Sequence, residues 1–182
     1  MVSPHVNTPP SSSAFCNTVM SVNTQTLQFL GFFAPLCLLC VALTLTDIRR
    51  GIIPNGINLS IAGFGLLKAL VINGAMEAVE LGCEAAAIGL IFWLLRRGYF
   101  VLRRTQGLGL GDVKFLAAAG TWIGVAGLPI LLLIATLAAL AAAGSLQLAG
   151  RDMTRQSSLP FGQYLAIGLL LTVILQQFQW AA

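Results

Sequence analysis

GLGDVKFLAAAGTWIGV, residues 109–125, sets one carboxylate, Asp112, between a glycine turn and an apolar run. The glycines at 109 and 111 interrupt regular structure ahead of the acid, and from Val113 onward the pattern is that of a helix without a polar face. Such a helix suits a large core or a bilayer, and composition selects the bilayer. Hydrophobic residues make up 57% of the 182 and charged residues 9%, against roughly 25% charged in a soluble domain.

Working outward, apolar runs at 26–46, 57–72, 79–95, 112–125, 127–149 and 160–179 are separated by short segments that hold nearly all the charge. The pattern predicts an all-α, polytopic integral membrane protein of about six transmembrane helices. The third and fourth runs are short for a hydrocarbon core of about 30 Å and imply tilt or a start inside the protein. Residues 1–25, rich in Ser, Thr, Asn and Pro, read as a disordered extracytoplasmic tail, and 26–182 as a single transmembrane domain. No basic stretch precedes the first apolar run and no A-x-A site follows it, so it reads as a retained span.

With that count Arg49, Arg50, Arg96, Arg97, Arg103, Arg104, Lys114, Arg151 and Arg155 fall on one side, and Glu77, Glu80 and Glu84 cluster on the other. The positive-inside rule makes the arginine side cytoplasmic and turns both termini outward. Lys68, the remaining cation, lies near the outer end of the second run, where its stem can snorkel to the interface. The net charge of +4 is thereby explained by topology against a lipid bilayer, with no nucleic acid partner expected.

Asp47 ends the first apolar run, and the chain holds only one aspartate besides it and Asp112. An acid against hydrocarbon costs about 2.5–3.5 kcal/mol on insertion scales and is a functional-site hypothesis by default. Asp47 sits where the helix macrodipole opposes a carboxylate, with Arg49 and Arg50 beside it. Asp112 sits near a helix N-terminus, where the dipole and Lys114 favour one. Such asymmetry suits an acid and base pair that activates a water without metal or nucleophilic side chain. The plainer readings are a solvated interfacial acid for Asp47 and a helix N-cap for Asp112. Gly109 and Gly111 let a peptide lie against the main chain.

Other chemistries lack residues. His5 is the sole histidine, so neither a histidine triad nor a histidine metal site can form, and no phosphate-binding glycine loop occurs. Cys37-x-x-Cys40 has no second pair and lies in an apolar run, so it reads as packing. No metal and no cofactor is expected.

Asp47 with Ile53-Pro54-Asn55, then Gly109 to Ala118, then Gly120-Thr121-Trp122-Ile123-Gly124, then Leu159-Pro160-Phe161-Gly162, resembles in order the type IV prepilin peptidases, GxGD aspartic proteases of the bacterial inner membrane. The resemblance runs from about residue 41 to 170. It implies that Asp47 and Asp112 are the catalytic pair; Gly109 and Gly111 are read as shaping the active-site loop around them, and Lys114 as a charge-tuning or positioning residue of that loop or, alternatively, an interfacial anchor. Pro160, Phe161 and Gly162, at the start of the last apolar run, are read as candidates to border the substrate path. The reaction implied is removal, at the cytoplasmic face, of a short basic leader from prepilins or pseudopilins, after a glycine and before an apolar helix. Long members of that family carry a cytoplasmic domain with two C-x-x-C zinc pairs and a methyltransferase activity. Nothing here stands in that place, so peptidase activity without methylation and without zinc is expected. The rival is a non-catalytic transporter or assembly subunit, for which acids near the midplane, broken helices and an internal repeat would speak.

Overall fold

The computed structural model describes the backbone of residues 12–50, 54–103, 109–148 and 161–181, and the side chains of 30–49, 54–102, 109–145 and 161–177. Its elements are five helices: α1 (Ser12–Arg50), α2 (Asn55–Ile72), α3 (Ala75–Arg103), α4 (Leu110–Leu148) and α5 (Gly162–Ala181). Four are long and apolar enough to cross a membrane, at Leu30–Arg49, Asn55–Ile72, Ala75–Leu102 and Leu110–Ser145, and Gly162–Gln177 is a shorter apolar helix. This is an all-α, multi-pass membrane protein, as the patterning predicts. α1 begins at Ser12, upstream of the expected start at 26; residues 1–11 of the expected tail, Arg104, Arg151, Arg155 and Pro160 lie outside the described residues. Backbone packing divides the chain into two units, Met1–Pro35 and Leu36–Ala182, and both Asp47 and Asp112 belong to the second.

Six runs become five helices at one place. The expected helices 112–125 and 127–149 are the two halves of α4, which is broken at Gly124 (φ 63°, ψ −176°). That conformation favours glycine, and it leaves backbone groups without helical partners. In an apolar setting those groups must be satisfied by neighbours. The Val125 N–H donates to Glu84 Oε2 of α3 at 2.9 Å, and the Ile123 carbonyl accepts from Gln176 Nε2 of α5 at 3.0 Å. Glu84, which the charge pattern assigns to an outer acidic cluster, thus closes the break. Gly124, four residues after Gly120 in the sequence, is where the helix bends.

α4 is the hub: it packs on α2, α3 and α5, and α2 packs on α3. Between apolar helices in lipid, association depends on close van der Waals fit, which small residues permit. A Cβ added at Gly120 would come within 2.7 Å of Ile88 Cδ1 and 3.2 Å of the Ala85 Cα, and one at Gly168 within 2.8 Å of the Leu131 carbonyl oxygen. A Cβ at Gly65 of α2 would collide with the Thr121 hydroxyl and approach Trp122 Nε1 to 2.8 Å. The room left by Gly65 lets Trp122 donate to the Ile61 carbonyl, at 2.8 Å. Lys68, expected to snorkel outward, instead holds its ammonium 5.4 Å from the Trp122 ring centroid, a cation–π contact.

Candidate active site

Among the described side chains of α1, Leu36, Cys40, Leu43 and Asp47 are the buried ones, spaced four, three and four apart, so the acid prolongs the stripe that packs inward. Ile48 and Arg49 beside it are exposed. Asp47 itself is only 6% exposed. Across from it the chain enters α5: Phe161 precedes the helix, its carbonyl accepting from the N–H groups of Tyr164 and Leu165, and the backbone N–H groups of Gly162 and Gln163 face the Asp47 carboxylate. The first N–H groups of a helix have no partner within it, so this end of α5 offers donors to an acid arriving from α1. Leu165, Ala166 and Leu169 carry the buried face of α5 onward.

Asp112 lies in the first turn of α4. It is half-buried, it interacts electrostatically with Asp47, and the Gly109 backbone N–H faces its carboxylate. The Val113 N–H donates to the Gly109 carbonyl at 3.3 Å, which closes the turn. Gly109 is where the loop comes nearest the acid: a Cβ there would stand 3.0 Å from Asp112 Oδ2. Lys114 reaches Asn55 of α2, its Nζ donating to Asn55 Oδ1 at 2.8 Å.

The structure therefore brings Asp47, Asp112, Gly109 and Gly162 to one place. It sets Phe161 next to them at the mouth of α5 and ties Lys114 to the start of α2. Gly111 enters through its carbonyl, which accepts from the Nδ2 of Asn58, a residue that sequence reasoning passes over. Asn58 looks in the sequence like one polar residue in an amphipathic helix start, yet it is 5% exposed. Among the described residues, two buried side-chain polar atoms have no hydrogen-bond partner: Asp47 Oδ2 and Asn58 Oδ1. Nearly all buried polar groups are paired, and each exception calls for an explanation, a catalytic role or a bound water among them. Both exceptions adjoin Asp112, one through its charge and one through its loop.

Beside this end, Asn55, Asn58 and Lys114 form the polar mouth of a groove of about 460 Å³ between α2, α3 and α4. Its walls are small and apolar, with Ala62, Gly82, Ala85, Ala86, Ala117 and Ala118 among them. It opens at the level of Asp112, two residues before Lys114, and runs along spans of membrane length.

These features define a class: a multi-pass helical membrane protein in which two carboxylates from the ends of different spans interact. The chain matches the model of the type IV leader peptidase family over residues 34–144, and it belongs to that family. It is 37% identical over 147 residues to the leader peptidase HopD of Escherichia coli, an alignment that covers 78% of this chain and 88% of that protein. It is 36% identical over 128 residues to a prepilin leader peptidase/N-methyltransferase of Aeromonas hydrophila, covering 70% of this chain and 43% of that one. To the protein of the same name in Burkholderia pseudomallei strain 1026b it is 34% identical over 134 residues, 73% of this chain and 42% of that one. The chain thus spans less than half the length of those two longer relatives. No solved structure matches it.

Proposed function

We propose that this chain is an aspartic endopeptidase of the bacterial inner membrane that removes the short basic leader of type IV prepilin-like and pseudopilin-like substrates. The observation that carries the reading is the meeting of Asp47 and Asp112 at the ends of two spans, in a chain of the leader peptidase family. One carboxyl is ionised and the other protonated. The carboxylate takes a proton from a water held between them, the resulting hydroxide attacks the scissile carbonyl, and the protonated partner supports the developing oxyanion. Collapse of the tetrahedral intermediate passes a proton to the leaving amine and returns the pair to its shared-proton state. Gly109 gives the Asp112 carboxylate room, and the Phe161-Gly162 turn, with Pro160 ahead of it, borders the substrate's path past Asp47.

Sidedness follows from charge. Arg49, Arg96, Arg97 and Lys114 share the end that holds both acids, which the positive-inside rule makes cytoplasmic. A basic leader approaching that face meets repulsion, screened over about 8–10 Å and offset by anionic lipid. The proposed activity is leader cleavage, and methylation is no part of the proposal.

The break at Gly124, with Glu84 beside it, is the feature that favours the transporter reading. Its freed Val125 N–H and Ile123 carbonyl are, however, taken by the side chains of Glu84 and Gln176, which accounts for the bend as a packed joint between helices. The deciding experiment co-expresses the chain with a tagged prepilin and follows leader removal by gel shift. Wild type should cleave; Asp47→Asn and Asp112→Asn should each reduce the rate about 10²–10⁴-fold with unchanged membrane insertion. Full activity in either mutant rejects the pair.

A further inference from the structure

Two contacts from one face of α2 grip the start of α4 on either side of Asp112. Asn55 accepts from Lys114 at 2.8 Å, and Asn58, one turn on, donates through Nδ2 to the Gly111 carbonyl at 3.5 Å. Residues three apart on a helix are neighbours on its surface, so 55 and 58 act together, as do 111 and 114. The Gly111 carbonyl lies in the same rigid peptide plane as the Asp112 N–H. A pull on that oxygen bears on the tilt of the plane from which the Asp112 side chain departs.

The amide has one workable orientation, because turning it over would set Oδ1 against the carbonyl oxygen. The consequence is the buried, unpartnered Oδ1. An unpaired buried acceptor opposes folding, and an apolar side chain of similar shape would avoid it. Stability alone therefore gives no reason for an amide at a site that is 5% exposed.

We infer that Asn58 is a positioning residue: through the Gly111 carbonyl it orients the Asp112 carboxyl toward Asp47. The inference rests on the paired-aspartate reading above. The test measures kcat, KM and thermal midpoint on purified protein in lipid nanodiscs, with a prepilin substrate, for wild type, Asn58→Leu, Asn58→Gln and Asp112→Asn. Asn58→Leu should lower kcat about 10–100-fold, the scale of a misplacement of about 1 Å, with KM within about twofold and a thermal midpoint equal to or above wild type. Asn58→Gln keeps an N–H donor and should recover part of kcat. Wild-type kcat in Asn58→Leu overturns the inference. A kcat loss that comes with a lower thermal midpoint and that Asn58→Gln does not relieve also overturns it, in favour of a packing role. An inactive Asp112→Asn beside a fully active Asn58→Leu rejects the positioning role and leaves the pair standing. An active Asp112→Asn rejects both.

Discussion

At residue scale, Asp47 and Gly109 show how little freedom the site has. Asp47 completes the inward stripe of Leu36, Cys40 and Leu43, so its carboxyl is delivered by helix periodicity alone. Gly109 is defined by what it lacks, since a Cβ would stand 3.0 Å from Asp112 Oδ2, tighter than ordinary contact. The carboxyl can rotate out of the way, but at the expense of its direction. Gly109→Ala should therefore lower kcat on a prepilin about tenfold or more, while the thermal midpoint stays near that of wild type because residue 109 is exposed and outside α4. Steady-state kinetics beside a thermal melt check this; a large fall in midpoint with normal kcat would assign the glycine to folding. Periodicity made both acids visible in the sequence, because a carboxylate at the end of an apolar run stands out against hydrocarbon. Asn58 was invisible for the opposite reason. An asparagine in a first helical turn is ordinary, and only the approach of Gly111 from α4 makes it a buried amide with an unpaired oxygen.

At the scale of elements, α4 carries the lesson. Composition marked two helices separated near residue 126, and the structure keeps both while joining them through Gly124. Apolar length was legible; the tertiary partners that let a helix bend were not. Glu84 reads as one of three clustered acids, and Gln176 lies unremarked inside the apolar run 160–179, until the break gives each a backbone group to satisfy. Two substitutions separate the polar and the conformational parts of this joint. Glu84→Leu leaves the Val125 N–H without its acceptor and should destabilise by about 1–3 kcal/mol, whereas Glu84→Gln keeps an oxygen acceptor and should lose much less. Gly124→Ala should lose about 1–3 kcal/mol because its φ of 63° with ψ −176° is a region essentially reserved to glycine, and more because the new Cβ would meet Glu84 Oε2 at 2.9 Å. Thermal melts in one detergent rank the variants. If Glu84→Leu proves as stable as Glu84→Gln, the carboxylate does not close the break.

On the scale of the whole molecule, α4, which holds Asp112, also forms one wall of a groove with α2 and α3. A substrate whose apolar helix already lies in the bilayer need not leave it if a groove at the level of the acids is open to lipid. The groove between α2, α3 and α4 has that form: polar at Asn55, Asn58 and Lys114, small and apolar beyond. Small side chains allow an entering helix to approach closely, which is the main source of helix association in lipid. Ala86 lines the groove from α3 and is exposed, so a larger side chain there occupies the groove without disturbing the core. Ala86→Phe should raise KM for a full-length prepilin about tenfold, equivalent to about 1.4 kcal/mol of binding, with kcat and thermal midpoint little changed. The same variant should cleave a short soluble peptide, spanning the leader and the cut but lacking the apolar helix, at the wild-type kcat/KM. Equal effects on both substrates would place the obstruction at the acids, and no effect on either would send the substrate helix along another face, leaving the Phe161-Gly162 side of Asp47 as the entrance.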